Sequence, residues 1–237
     1  MQHLHETGHQ PGTIVVTAAS LARYAEFWLS LESVQVPYGT RLVAARGADI
    51  PHQLNEGIRR MTGDWCWILG DDHTFDADIL LKLLSRNVDV VMPVVPRRDP
   101  PFCPVLLHGP ISNAMTRYAW TELPITGLYQ LPKTDICGQA GALVRKPILD
   151  KLGDPWFKCG QVDPGRLQED IWFMQQLHNL DVPIYIDCEH VMPHIANVTI
   201  TPQKHGGRWY AGYMSKQGPV LWDEPVGIGW GDNIKIA

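Results

Sequence analysis

The run Trp65-Cys-Trp-Ile-Leu69 is apolar at every position, without the polar alternation of a strand that keeps one face in water. A segment of this length and texture reads as a strand buried on both faces, and such strands belong to sheets covered by helices on either side. The flanking sequence agrees. Thr13-Ile-Val-Val-Thr17 and Arg41-Leu-Val-Ala-Ala45 read as two earlier strands, and Val88-Asp-Val-Val-Met92 as a later one. Between them apolar residues recur at helical spacing: Leu21, Tyr24, Trp28 and Leu31 behind Ser20 as N-cap, then Leu54, Ile58 and Met61, then Ile79, Leu80, Leu83 and Leu84. Gly63 stops the second of these helices. Strands alternating with helices in this way predict an α/β fold: an open, mostly parallel sheet with helices on both faces.

With 237 residues and 45% hydrophobic content, the chain can bury a core of its own. The expected organisation is a flexible start over 1–12, a single domain over 13–196, and a lid or tail over 197–237. A formal charge of −5 excludes wholesale attraction to nucleic acid or an anionic membrane, so any polyanionic partner must be recognised locally. No apolar run approaches the roughly 20 residues that span a bilayer, and the polar start with His3, His5 and His9 lacks the apolar core of a signal peptide. A cytoplasmic protein without a membrane partner is expected. The five cysteines (Cys66, Cys103, Cys137, Cys159, Cys188) form no Cys-x-x-Cys pair, which fits reduced, buried thiols.

From Pro93 to Pro132 proline and glycine are frequent and periodicity is lost, as in a long excursion over the sheet. The pattern resumes with Ile136-Cys-Gly-Gln-Ala-Gly-Ala-Leu-Val144, a short helix opened by Pro147, a helix from about Gln168 with Leu167, Ile171 and Met174, and a last strand at Ile184-Tyr-Ile186.

The apolar strand stops on Asp71-Asp72-His73, hard oxygen and nitrogen ligands at the edge where open α/β sheets bind. A divalent cation there would neutralise a diphosphate leaving group. The same aspartates, with Asp76, equally suit a turn and a helix cap. Glu169-Asp170 opens a helix, where carboxylates complement the dipole, yet Asp170 also has the chemistry of a general base. His190 and His194 follow the last strand, and either suits a third metal ligand. Arg97 and Arg98 place guanidinium forks near the same edge, suited to phosphate oxygens. Arg46 and Asp49, after the second strand, can meet a ribose or base. No G-x-G-x-x-G, Walker loop or G-x-S-x-G elbow is present.

In order and spacing these parts resemble the GT-A glycosyltransferases, in particular the family 2-like enzymes of bacteria and bacteriophages. The resemblance runs through Val15-Val-Thr17, Asn55-Glu-Gly-Ile58, Gly63 to His73 as the "DxD" segment, Gly141-Ala-Leu-Val-Arg145 with Pro155-Trp-Phe157, Glu169-Asp-Ile-Trp-Phe173 and the His194 region, about residues 13 to 196. It implies a Rossmann-like half that holds a nucleoside-diphosphate sugar (UDP or GDP) and an acceptor half. Thr17, Ala18, Arg46, Asp49, Asn55, Asp71 and Arg97 would then face the donor. Mn²⁺ or Mg²⁺ would lie on Asp72, His73 and His194, and Asp170 beside Glu169 would be the base of an inverting transfer, though some relatives with a late histidine retain. Gly70 departs from the pattern, since relatives often carry a first carboxylate there. Two registers follow: Asp72 as the metal carboxylate, or Asp71-x-His73 with His73 in its place. The resemblance leaves the acceptor open among a hydroxymethylated DNA base, a phage structural protein and a small molecule. A nucleotidyltransferase, or a nucleotide-sugar-binding module without turnover, is the alternative; the former would normally carry a glycine-rich basic loop where Ala18-Ala-Ser-Leu-Ala22 stands.

Overall fold

The computed structural model describes residues 1–18, 24–47, 49–98, 102–109, 115–162, 165–196, 200–205, 208–215, 218–222 and 234–236. Seven strands form the central sheet: β1 (Thr13–Thr17), β2 (Arg41–Ala45), β3 (Trp65–Gly70), β4 (Val90–Val94), β5 (Leu128–Gln130), β6 (Leu143–Arg145) and β7 (Tyr185–Val191). Their order across the sheet is β2-β1-β3-β6-β4-β7-β5. Pairing is parallel for β2 with β1, β1 with β3 and β4 with β7. It is antiparallel for β6 with both β3 and β4, and for β5 with β7. Since β6 opposes both neighbours, β2, β1, β3, β4 and β7 all point the same way and only β6 and β5 are reversed. The mostly parallel α/β sheet read from the sequence is the one found.

Among the described residues five α-helices cover it: α1 (Ala25–Ser33), α2 (Ile50–Arg59), α3 (Ile79–Ser85), α4 (Lys146–Leu152) and α5 (Glu169–Asn179). Alternating side chains of each strand feed two separate cores. Ile14, Val16, Trp65, Trp67 and Leu69 pack with Phe27 and Leu31 of α1 and with Ile79, Leu80, Leu83 and Leu84 of α3. Val15, Cys66 and Ile68 pack on the other face with Leu54 and Ile58 of α2, Ile148 and Leu149 of α4, and Phe173, Met174 and Leu177 of α5. The two buried tryptophans keep their indole N–H groups bonded, Trp65 to the Gln10 carbonyl at 2.8 Å and Trp67 to that of Gly141 at 3.0 Å. Gly57 lets α2 lie close on β1, because a Cβ there would come within 2.3 Å of Val15 Cγ1.

Several elements differ from the sequence reading. The start of the chain, expected to be flexible, holds a strand (Gln2–Leu4) paired in parallel with Gln35–Pro37. The segment 197–237, expected as a lid or tail, carries an antiparallel meander of Ile200–His205, Arg208–Ser215, Gly218–Trp222 and Ile234–Ile236. Ser20 and Leu21, read as the cap and first apolar position of α1, lie outside the described residues. The excursion after β4 contributes β5 and a small sheet in which Leu106–His108 pairs with Thr116–Arg117 and Ile136–Cys137. Polar contacts hold it: the Tyr118 hydroxyl donates to Asp135, and His108 lies 3.2 Å from Asp135 Oδ2 and 2.8 Å from Glu122 Oε1. All five cysteines are free, with Cys66, Cys103 and Cys137 buried. No helix among the described residues is long and apolar enough to cross a membrane.

Candidate active site

Register lines up the ends of the first three strands. Thr17 stands opposite Ala45 on one side and Gly70 on the other, so Ala18, Arg46 and Asp71 leave the sheet side by side. Thr17 ties this edge together by donating its hydroxyl to the Leu69 carbonyl at 3.3 Å. Beyond β3 the backbone turns back against the chain that leaves β7. His73 and His194 form an antiparallel bridge, with Thr74 N donating to the Pro193 carbonyl at 3.0 Å and Ile195 N to the Asp72 carbonyl at 2.7 Å.

These backbone bonds gather one carboxylate and two imidazoles. One ligand atom from each of Asp72, His73 and His194 lies within 4.8 Å of the others. Asp72 Oδ1 is 3.0 Å from His73 Nδ1, and Asp72 Oδ2 is 3.3 Å from His194 Nε2. The rings stack with centroids 4.2 Å apart. His194 Nδ1 donates to the Pro96 carbonyl at 3.0 Å, because only an N–H can face that oxygen. That bond turns Nε2 toward the Asp72 carboxylate, where a proton or a cation can lie between the two atoms. Both Nε2 atoms are buried; that of His194 faces Asp72 Oδ2, and that of His73 makes no hydrogen bond among the described residues. Burial works to raise the Asp72 carboxyl, but the bonds and charges of His194 and His73 override it and hold it well below the usual carboxylate range. Burial first, partly offset by Asp72, lowers the His73 imidazole, which keeps it neutral and able to ligate. One carboxylate and two imidazoles suit a divalent transition ion such as Mn²⁺.

Asp170 sits in the first turn of α5, where its Oδ1 accepts from Ile171 N at 2.7 Å. Burial, reinforced by the neighbouring Glu169, pushes its carboxyl up to about 6, against the pull of Arg97. A dipole-stabilised surface carboxylate would move the other way. Asp170 faces the loop before β6: a Cβ on Gly138 would lie 3.6 Å from its Oδ2. Gly138 N in turn donates to the Val105 carbonyl, and Val105 N to that of Val95, beside the Pro96 carbonyl that orients His194. Two polar atoms here, Arg97 Nε and Gln139 Oε1, are buried without hydrogen bonds among the described residues. Glu169 lies 4.0 Å from the Cys159 thiol through its Oε2.

The other candidates take different positions. Asp71 is buried at the end of β3 and Arg46 is exposed beside it. Asp49 is exposed and caps α2, its Oδ1 accepting from His52 N at 2.9 Å. Asn55 is buried away from solvent and clasps a distant loop, donating to the Phe157 carbonyl at 2.8 Å and accepting from Phe157 N at 3.0 Å. Both ends of its amide are engaged in this clasp. His190 turns to Asp187 at 2.8 Å and so is separate from the Asp72 group. Sequence reasoning missed the Arg98 guanidinium on Asp72, the Pro96 carbonyl, Gln139 and the reason for Gly70. A Cβ on Gly70 would come within 2.8 Å of Asp72 Oδ1. The glycine makes room for the Asp72 and His73 side chains, a packing cause invisible when the position is read as a missing carboxylate.

No family profile and no curated protein matches the chain. Among solved structures, it superposes on GalNAc-T7 crystallised with UDP, GalNAc and Mn²⁺, with a TM-score of 0.54 at 10% identity. That match covers 78% of this chain and 44% of the other, so the chain spans less than half the length of GalNAc-T7. A second match is A197 from STIV, with a TM-score of 0.46 at 14% identity, over 90% of this chain and 94% of that one. The fold is therefore an α/β fold of the GT-A-like kind.

Proposed function

We propose that this chain is a metal-dependent glycosyltransferase that moves a sugar from a nucleoside-diphosphate donor to an acceptor hydroxyl. One observation carries the reading: Asp72, His73 and His194 converge at one edge of the sheet, and Asp170 in the first turn of α5 has a raised carboxyl. The GT-A-like fold supports it, and the UDP and Mn²⁺ bound by GalNAc-T7 indicate the class of donor and cation to test first. Asp72, His73 and His194 would hold Mn²⁺ or Mg²⁺. A cation bound there would neutralise the donor diphosphate as it leaves. Thr17, Ala18, Arg46, Asp49 and Asp71 would line the nucleotide end. Arg97 and Gln139 would meet sugar or phosphate oxygens, since their buried polar atoms otherwise go unsatisfied.

Asp170 acts as the general base. A carboxyl near 6 is ionised at neutral pH yet basic enough to take a hydroxyl proton, and Glu169 sustains that basicity by like-charge repulsion. Attack by the deprotonated hydroxyl on the face opposite the diphosphate inverts the anomeric carbon.

The test is Mn²⁺-dependent release of nucleoside diphosphate from a panel of UDP- and GDP-sugars by wild type, Asp72→Ala and Asp170→Ala. Release abolished by either substitution supports the transferase. Nucleotide binding without release from any donor would favour a binding module instead.

A further inference from the structure

Arg98 donates from Nη1 to Asp72 Oδ2 at 2.8 Å, the same oxygen that lies 3.3 Å from His194 Nε2. The two partners differ in exposure: the Arg98 side chain is 43% exposed and that of Asp72 only 13%. A carboxylate withdrawn from water needs a positive charge beside it, and a half-solvated arginine can provide one and still leave. A guanidinium and a divalent cation cannot share one carboxylate oxygen at contact distance without strong repulsion. Arg98 also belongs to a short segment that touches the rest of the site. Two residues earlier the Pro96 carbonyl orients His194, and one residue earlier Arg97 exerts its charge on Asp170.

We propose that Arg98 is a displaceable counter-ion for Asp72, which a divalent cation replaces on Oδ2 and which then turns to the diphosphate of the donor. The inference rests on the reading of Asp72, His73 and His194 as the cation site. Its chemistry is a charge exchange: the cation takes over the carboxylate, and the released guanidinium meets the one new anion that arrives with it, a diphosphate whose oxygens match its planar fork. Cation binding by itself works against Arg98, whereas cation and nucleoside diphosphate together recruit it. Binding of the two is therefore coupled, each improving the other.

The experiment titrates Mn²⁺ into wild type, Arg98→Ala, Arg98→Lys and Asp72→Ala, following the free-ion electron paramagnetic resonance signal, with and without UDP. Arg98→Ala is expected to bind Mn²⁺ alone about five-fold more tightly, because an exposed competitor has gone. In saturating Mn²⁺ it should bind UDP about ten-fold more weakly, because a charged hydrogen bond has gone. Arg98→Lys should fall between wild type and Arg98→Ala on both scales. Unchanged affinities in Arg98→Ala, or a lower melting temperature as its sole effect, would overturn the inference. If wild type binds Mn²⁺, Asp72→Ala does not, and Arg98→Ala matches wild type, the cation site stands and only the role of Arg98 falls. Failure of wild type to bind Mn²⁺ would overturn both.

Discussion

Two clusters in this molecule join aspartate, histidine and arginine, and they differ in what is left over. Around Asp187, on β7, both carboxylate oxygens are engaged: Arg86 donates from Nε and Nη2 to them at 2.8 Å, His190 adds a contact at 2.8 Å, and Glu189 shares the Nη2 arm of Arg86 at 2.6 Å. Around Asp72 the arginine is half-exposed, and His73 Nε2 is buried without a hydrogen bond among the described residues. A buried polar cluster that is complete holds the fold together. One that is buried and incomplete stays costly until something arrives to complete it. The same residue types therefore read as a brace in one place and as a binding site in the other.

That contrast breaks in a definite order under substitution. Asp187→Ala strands Arg86 beside a buried gap and should cost about 3–5 kcal/mol, lowering the melting temperature by roughly 10 °C. Asp72→Ala, assayed the same way without metal, should cost less than Asp187→Ala, because its Arg98 partner is half-exposed and returns to water. Thermal unfolding of the two variants side by side checks the pair, and equal losses would erase the distinction. Asn55→Ala belongs with the braces: losing both bonds to Phe157 should cost about 2–3 kcal/mol by chemical denaturation, with nucleotide affinity unchanged in the folded protein.

Asp170→Asn should act in the opposite direction. With the folded carboxyl at about 6 and the ordinary value at 3.8, the folded state holds the proton more tightly than the unfolded one. Stability therefore falls as pH rises between about 4 and about 6, and the penalty persists above that window. The asparagine variant should be more stable than wild type by about 3 kcal/mol at pH 8 and nearly equal to it near pH 4, while transfer is lost. In wild type, kcat/KM should rise through pH of about 6 as the base ionises. A flat difference between the two proteins across pH would mean Asp170 is not perturbed. The smallest effect is expected of Gly70→Ala, where the added methyl pushes on Asp72 Oδ1 and should weaken Mn²⁺ by roughly five-fold, about 1 kcal/mol, in a binding titration.

Much of the sheet was legible because β1 and β3 are buried on both faces, and such strands announce themselves as unbroken apolar runs. The reversal at β6 was less so. Ile136 to Val144 looks continuous, yet Ile136–Cys137 joins the small sheet and Leu143–Arg145 the large one, with Gly138 to Ala142 turning between them. Short strands of two or three residues carry too few side chains to show a period. Of the site, Asp72, His73, His194 and Asp170 stood out by chemistry. Choosing between His190 and His194 was beyond the sequence, because β7 bulges between Asp187 and Val191, and the extra residues deliver His190 to the brace. The ladder then resumes with Met192 N on the Val94 carbonyl at 2.9 Å, which carries His194 forward to the Pro96 carbonyl. The cap that Asp49 gives α2 and the clasp of Asn55 on Phe157 were hidden for a related reason: both depend on backbone partners that the sequence does not name.

The most direct measurement is Mn²⁺ affinity in His194→Ala and His190→Ala, each compared with wild type by the free-ion electron paramagnetic resonance signal. Loss of at least about ten-fold in His194→Ala, with no change in His190→Ala, is the predicted result. Equal affinity in His194→Ala and wild type, or a loss confined to His190→Ala, would contradict the assignment of Asp72, His73 and His194 as the cation site.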